Sequence, residues 1–145
     1  MKISTRSALQ AMVDIISSNL IQLAEINERL ENYKITSPNV LSLEEDTDLV
    51  SLLETAIDLR LKIVEMLSDG RKYILDAITN NSNRDLLSKL KTLAEFYIYA
   101  GSRIDKRIVK KYRGIIVLNG LESSIEELYS SFSLLLSDMG VRIIE

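Results

Sequence analysis

Apolar residues recur along most of the chain at alternating spacings of three and four, which is the period of an α-helix with one face in a core. The first such seam comprises Leu9, Val13, Ile16, Leu20, Leu23, Asn27 and Leu30. It predicts a helix over about residues 4–33. The apolar face is widened, to the breadth that a bundle needs, by Met12, Ile15 and Ile26. The polar Asn27 can be buried, where it would fix the register of the helices, or it can lie at the edge of the apolar face. We prefer the edge position.

A second helical pattern follows the only proline of the chain, Pro38, which marks a loop over residues 34–42 because proline lacks an amide hydrogen. Ser42 and Glu45 have the spacing of a capping box and predict the start of the second helix. One seam of this helix comprises Val50, Leu53, Ile57, Val64 and Leu67. The end of this helix is left open. Gly70 can end it, but the apolar residues after Gly70 continue the helical period, so the helix can equally reach about residue 79.

A third helix is predicted between a polar turn at residues 79–83 and Gly114. Ser82 and Asp85 resemble a cap at its start. Its seam comprises Leu86, Leu90, Leu93, Tyr97, Ala100, Ile104 and Ile108. This pattern is typical of one uninterrupted amphipathic helix that reaches about residue 113.

The fourth helix is predicted to begin with a cap formed by Asn119 and Glu122. Its seam comprises Leu121, Ile125, Leu128, Phe132, Leu135 and Met139. For the short apolar run before it, a buried connector or an extra helical turn at residues 114–119 is preferred over a lone strand. Four long helices with short connections and no convincing strand predict an all-α fold. Residues 1–145 are expected to form a single domain, an elongated antiparallel four-helix bundle.

The composition removes most catalytic chemistry. The chain has no cysteine and no histidine, which excludes disulfides, thiolate catalysis, His-based nucleophile pairs and the common zinc and di-iron sites. Its glycines form neither a phosphate-binding loop nor a nucleophile elbow. Carboxylates that could substitute as metal ligands, such as Glu25 and Glu28, lie beside the apolar seams, where a solvent-exposed helix face explains them. We therefore predict no enzyme and no catalytic, cofactor-binding or metal-binding residue.

No stretch of the sequence approaches the ~18 apolar residues of a membrane-spanning helix. The N-terminal residues also lack the apolar run of a signal peptide. We therefore expect a soluble chain without membrane contacts, which works inside a cell or travels in a particle.

Charge is segregated along the chain although the net charge is only −3. Residues 84–113 carry nine bases and three acids, whereas the segments before and after them are acidic. A candidate partner-binding patch lies at the end of the third helix: Arg103, Lys106, Arg107, Lys110, Lys111 and Arg113. Three interpretations stay open: favourable interaction with the helix C-terminus, contact with nucleic acid, and contact with an acidic protein surface or another copy. The first explains residues 110–113 and leaves residues 103–107 unexplained.

Two acidic patches are further candidates for partner binding. The first comprises Glu44, Glu45, Asp46 and Asp48. It falls in the first turns of the second helix, where negative charge also complements the helix dipole without any ligand. The second comprises Glu122, Glu126 and Glu127. The sequence therefore predicts separate acidic and basic faces on one bundle.

The plan of four long helices resembles a helical-bundle family of two-tailed and tailed spindle-shaped viruses of hyperthermophilic archaea. The features compared are the seam from Leu9 to Leu20, the basic patch, and the cysteine-free, Ile- and Leu-rich composition. The resemblance covers the chain from Leu9 to Met139. The family includes a major coat protein and a coat-like relative that inhibits the host RNA polymerase by occupying its DNA-binding channel. No site residue is taken over from the family.

The resemblance implies a viral inhibitor that acts in the host cytoplasm, binds the archaeal RNA polymerase in its DNA-binding channel and represses transcription. In that role the acidic patches mimic phosphate, and the basic patch meets acidic walls of the channel. The alternative that the resemblance implies is a virion coat subunit, which self-assembles and contacts DNA through the basic patch.

Overall fold

The computed structural model describes residues 3–34, 46–113 and 118–144. Within these ranges it contains four helices and no strand. Three of them are α1 (Thr5–Asn32), α2 (Thr47–Thr79) and α4 (Leu118–Asp138). The other, α3, runs through an α-helical segment (Arg84–Phe96), a π-helical turn (Tyr97–Gly101) and a second α-helical segment (Ser102–Lys111). The all-α four-helix bundle predicted from the sequence is confirmed.

The helices alternate in direction, so that α1 and α3 end where α2 and α4 begin; we call this the distal end of the bundle. Around the bundle the order is α1, α2, α4, α3, which makes α2 and α3 diagonal partners across the core. With 33 residues, α2 is about 50 Å long. No helix in the described ranges is long and apolar enough to cross a membrane.

The start of α2 is set by Asp46, whose side chain accepts hydrogen bonds from the amides of Asp48 and Leu49, both at 3.1 Å. This satisfies two of the amide donors that every helix leaves unpaired at its N-terminus. The predicted capping box at Ser42 and Glu45, the loop around Pro38 and the residues Glu44 and Glu45 lie outside the described residues.

The caps predicted for the third and fourth helices are wrong. Asn83, not Ser82, is the N-cap residue of α3, and it takes a left-handed conformation with φ 53° and no capping bond from its side chain. Asparagine tolerates this conformation better than most residues. Leu118 already belongs to α4, so Asn119 is inside the helix rather than at its cap. Of the proposed extra turn at 114–119, residues 114–117 lie outside the described part of the chain.

Gly70 does not end the second helix, because α2 continues through it to Thr79. The glycine is buried, and a Cβ added there would be 2.4 Å from Sδ of Met12 on α1. Any larger residue would force the two helices apart or displace the methionine. Gly70 therefore serves the close packing of α1 against α2 and not a helix end.

All seven seam residues predicted for α1 are buried, including Asn27, of which only 5% is exposed. The preferred edge position of Asn27 is therefore wrong, for a reason given by its hydrogen bonds below. Ile15, expected to widen the apolar face, is 41% exposed. The face of α1 is accordingly narrower on that side than the sequence suggests.

Beyond Tyr97 the predicted seam of α3 holds for Ile108, which is fully buried, and fails for the two seam residues between them. Ala100 is exposed and Ile104 is only partly buried, whereas Ser102 and Asp105 are buried instead. The π-helical turn causes the change, because it accommodates one more residue per turn than an α-helix and so rotates every residue that follows. The period of the sequence does not reveal this turn.

Candidate functional site

Four basic residues of the predicted patch are exposed along the second half of α3 and in the turn that follows it. We call Arg103, Lys106, Lys110 and Arg113 the basic stripe. The spacings of three and four keep Arg103, Lys106 and Lys110 on one side of the helix, over a length of about 10 Å. Arg113 follows in the turn after Lys111, the last residue of α3. Among the described residues none of the four forms a salt bridge. The stripe is therefore a row of positive charge directed at solvent.

Lys111 belongs to the predicted patch by sequence but not by position. Its Nζ atom donates hydrogen bonds to the backbone oxygens of Leu30, Glu31 and Tyr33, at 2.8, 2.7 and 2.7 Å. These carbonyls lie at the C-terminus of α1, where a helix leaves its last acceptors unpaired and where positive charge is favourable. Partial burial lowers the pKa of the Lys111 ammonium. Lys111 therefore caps the neighbouring helix instead of contributing to the stripe.

Tyr112 supports the same junction from inside the core. Its hydroxyl donates to the backbone oxygen of Leu30 at 2.5 Å, and burial raises the pKa of Tyr112 to about 12. The phenol therefore stays protonated, and remains a donor, over the pH range of ordinary experiments. Lys111 and Tyr112 together fix the end of α3 to the end of α1.

Arg107 lies on the side of α3 that faces α1. Its guanidinium approaches the carboxylate of Glu31 at 3.2 Å, in a pair that is largely open to solvent. Exposed pairs of this kind contribute at most about 1 kcal/mol. Arg107 thus borders the basic stripe with its charge partly compensated.

The acidic candidates that the structure describes lie at the distal end, next to the end of the stripe. Asp46 caps α2 and also accepts a hydrogen bond from the Tyr33 hydroxyl, so its charge is used within the fold. Asp48 is exposed in the first turn of α2. Glu122, Glu126 and Glu127 are exposed near the start of α4. The acidic candidates and the end of the stripe therefore share the distal end of the bundle, on different helices.

A shallow groove of about 270 Å³ lies beside the first two residues of the stripe. Its lining includes Arg103 and Lys106 of the stripe, Tyr99 of the π-helical turn and Tyr129 of α4. The hydroxyl of Tyr99 accepts a hydrogen bond from the backbone amide of Ile144 at 3.0 Å, which holds the chain after α4 against the π-helical turn. The groove gives the stripe a concave flank into which a partner's side chain can enter.

Asp105, which interrupts the basic run in the sequence, is fully buried beneath the stripe. It forms a salt bridge with Arg60 of α2, in which Nη2 of the arginine is 2.6 Å from Oδ1 of the aspartate, and both side chains have no exposed surface. Because α2 and α3 are diagonal partners, this ion pair spans the core. Arg60 also donates to the backbone oxygen of Ala56 at 3.1 Å.

Two neutral side chains complete the hydrogen bonding of this carboxylate. Nδ2 of Asn27 donates to Oδ1 of Asp105 at 3.1 Å, and the Tyr97 hydroxyl donates to Oδ2 at 2.5 Å. Burial and the neighbouring negative charge raise the pKa of Tyr97, which keeps its hydroxyl protonated as a donor. We call Asn27, Arg60, Tyr97 and Asp105 the buried network. All four side chains are buried, and Asp105 accepts hydrogen bonds from each of the other three.

Sequence reasoning missed this network for two different reasons. Arg60 occupies the one position missing from the predicted seam of α2, between Ile57 and Val64, and that gap is a signal that could have been used. Asp105 carries no such signal, because only the π-helical turn brings it inward. In an uninterrupted helix it lies about 80° away from Tyr97.

The described ranges contain no group of three or more acidic side chains placed to hold a metal ion. Comparison with known proteins yielded no matching family model, no matching curated protein and no matching solved structure. The candidate site therefore consists of the exposed basic stripe and the distal acidic residues.

Proposed function

We propose that this chain is a non-enzymatic interaction protein that binds a large protein partner through the basic stripe. The observation that carries the proposal is the contrast within one basic run. Arg107 and Lys111 are paired with α1, whereas the stripe has no salt bridge within the described ranges. Interaction with a helix C-terminus acts over the last turn only. Arg103 and Lys106 precede that turn, so a role in binding remains the better explanation of their charge.

The partner that we propose is the RNA polymerase of an archaeal host, bound in its DNA-binding channel so that transcription is repressed. The resemblance to the archaeal viral bundle family supports this choice. The charges support it as well, because a channel that holds DNA combines basic residues near the phosphate path with acidic residues near its catalytic metal. Asp48, Glu122 and Glu126 can occupy phosphate positions while the stripe contacts acidic walls.

Retention of the host polymerase on the immobilised chain, measured at low and high salt, tests this proposal. Retention is expected at low salt and is expected to weaken as salt rises, since exposed charges are screened. The triple variant Arg103→Glu/Lys106→Glu/Lys110→Glu is expected to lose retention without a change in melting. Its matched control is Lys62→Glu/Lys72→Glu/Lys89→Glu, which reverses three exposed bases outside the stripe. Absence of the polymerase at low salt would refute the proposal.

A virion coat subunit is the second candidate, and the arrangement of charges around the bundle favours it. Six acids of α2 are exposed: Asp48, Glu54, Asp58, Glu65, Asp69 and Asp76. Its exposed bases are only Lys62, Arg71 and Lys72. The basic stripe is on α3, the diagonal partner of α2, so opposite charges lie on opposite corners and copies can stack head to tail.

Light scattering and electron microscopy distinguish the two candidates. A coat subunit forms ordered assemblies as its concentration rises, with or without DNA, whereas an inhibitor stays monomeric and binds the polymerase. DNA binding through the stripe is a further outcome. It would appear as duplex retention whose affinity falls steeply with salt.

A further inference from the structure

The second half of α3 can follow either of two helical phases. The apolar period predicts a phase with Ala100 and Ile104 inward, which an uninterrupted α-helix produces. The observed phase turns Ser102 and Asp105 inward instead, and leaves Ala100 exposed. The observed phase also buries Ile108 and Tyr112, but between residues 100 and 105 it buries polar side chains where the alternative buries apolar ones. The hydrophobic pattern of residues 100–105 therefore does not explain the observed phase.

The two phases differ by the one extra residue held in the π-helical turn, Tyr97–Gly101. In an α-helix Asp105 lies about 80° around the axis from Tyr97, but one inserted residue brings the two within about 20°. Only in the observed phase can the Tyr97 hydroxyl reach the Asp105 carboxylate, at 2.5 Å. Ser102 closes the turn by donating its hydroxyl to the backbone oxygen of Ile98 at 2.7 Å.

The hydrogen bonds and the ion pair of the buried network can form only in the observed phase of α3. Arg60 comes from α2 and Asn27 from α1, so Asp105 is held from three helices at once. A buried ion pair is often no more stabilising than apolar residues of the same volume, yet it tolerates only one arrangement of its partners. Rotating Asp105 out of the core would leave the fully buried Arg60 without its carboxylate.

We propose that the buried network selects the rotation of the second half of α3 and thereby sets the direction in which the basic stripe points. Arg60, Asp105, Tyr97 and Asn27 are positioning residues for the stripe. A change to the uninterrupted phase turns the stripe by about 100° about the helix axis. The effect of this rotation on partner binding rests on the function proposed above. The selection of the phase by the buried network does not depend on that function.

Cysteine accessibility measures the phase directly, because the chain has no cysteine of its own. Single variants Ala100→Cys and Ser102→Cys introduce one thiol each, at an exposed and at a buried position. We expect the thiol at position 100 to react with a thiol reagent at least about ten times faster than the thiol at 102, since a buried thiol reacts only after local opening. In the uninterrupted phase the order is reversed.

The decisive experiment introduces the same two cysteines into the double variant Arg60→Met/Asp105→Ser. This variant removes both buried charges, and the serine is too short to reach Tyr97. We expect this variant to remain helical by circular dichroism while the ratio of the two thiol reactivities falls at least about tenfold. An unchanged ratio in the folded variant overturns the proposal, because Lys111 and Tyr112 would then hold the phase alone.

Deletion of Ala100 provides the rescue. It removes the extra residue, so an uninterrupted helix now keeps position 105 in phase with Tyr97 without any network. In the Arg60→Met/Asp105→Ser background the deletion is expected to protect the thiol at 102 again. Failure of this rescue contradicts the proposal, since a general loosening of the core would not be reversed by shortening the helix.

A milder variant serves if the double variant does not fold. Tyr97→Phe removes one donor to Asp105 and keeps the ion pair, so the reactivity ratio should fall about twofold to fivefold. An unchanged ratio in Tyr97→Phe then overturns the proposal.

Polymerase retention on the same variants separates this inference from the proposed function. If the double variant loses polymerase retention and deletion of Ala100 restores it, the phase of α3 controls polymerase binding. If thiol reactivity changes as expected but neither the parent nor any variant binds the polymerase, the proposed function is refuted. The inference that the buried network selects the phase of α3 would still hold.

Discussion

Two ion pairs of α3 have the same chemistry and opposite surroundings. In the first half of the helix, Arg6 of α1 approaches Asp85 at 2.8 Å, with more than half of each side chain exposed. In the second half, Arg60 of α2 approaches Asp105 at 2.6 Å with neither side chain exposed. Water screens the first pair, so it adds little stability and constrains nothing. The second pair has no water to replace a lost partner, so it dictates the arrangement of the helices around it.

The halves of α3 differ accordingly in what holds them. The first half packs through apolar residues such as Leu86, Leu90 and Ala94, all of them buried. The second half is fixed by directional contacts, through Asp105 in the core and through Lys111 and Tyr112 at its end. Packing tolerates small rotations, whereas directional contacts do not. The half that carries the basic stripe is the half whose rotation is specified.

The comparison predicts the largest loss of stability when one member of the buried pair is removed. Asp105→Leu leaves the guanidinium of Arg60 in the core without a carboxylate and should lower the free energy of unfolding by about 3–5 kcal/mol. Urea denaturation measures this. Adding Arg60→Met should return the free energy to within about 1 kcal/mol of the parent, or above it. Equal losses in the single and double variants would contradict the role of the unpaired charge.

A cavity in the first half should cost nearly as much without changing the phase of the second. Leu90→Ala removes a buried side chain, of which 1% is exposed, and should lower the free energy of unfolding by about 2–4 kcal/mol. In this variant the thiol of Ser102→Cys should remain protected. Exposure of that thiol in the folded variant would show that the two halves are not independent.

Loss of the interhelical cap should have an effect of about 1 kcal/mol. Lys111→Met leaves three carbonyls at the end of α1 without their charged donor, partly replaced by water. Melting temperature and hydrogen exchange in the last turn of α1 measure the change. The control is Lys110→Met, at an exposed stripe position, which should change stability by less than about 0.5 kcal/mol.

The smallest expected effect concerns the exposed pair. Its hydrogen bond from Arg6 lowers the pKa of Asp85 from 3.8 to about 2. Because the pKa is lower in the folded state, the pair stabilises the fold fully above pH 4, and this contribution is lost as the pH falls from about 4 to about 2. Titration of Asp85 by NMR in the parent and in Arg6→Gln tests this. An unshifted pKa in the parent, or the same pKa in both proteins, would contradict it.

Much of the fold follows from the sequence. The period of apolar residues predicted four helices, and all seven seam residues of α1 are buried. The candidate site was predicted less well. Its basic residues lie on α3 or in the turn after it, but the side chain of Lys111 caps α1, and Asn27 is buried rather than at the edge of its face. The partner of a charged or polar side chain lies on another helix, and the local period contains no information about it.

The sequence alone determined the four helices and the buried seam of α1, because each depends on residues within a few turns of one another. The sequence alone also excluded catalysis and metal binding by histidine or cysteine, because that depends only on which residue types the chain contains. Tertiary structure explains the glycine at position 70 within α2, because Met12 of α1 leaves no space for a side chain there. It also decided the phase of α3 after Tyr97. That choice turns on a carboxylate held at once by three helices, and only the folded bundle brings those helices together.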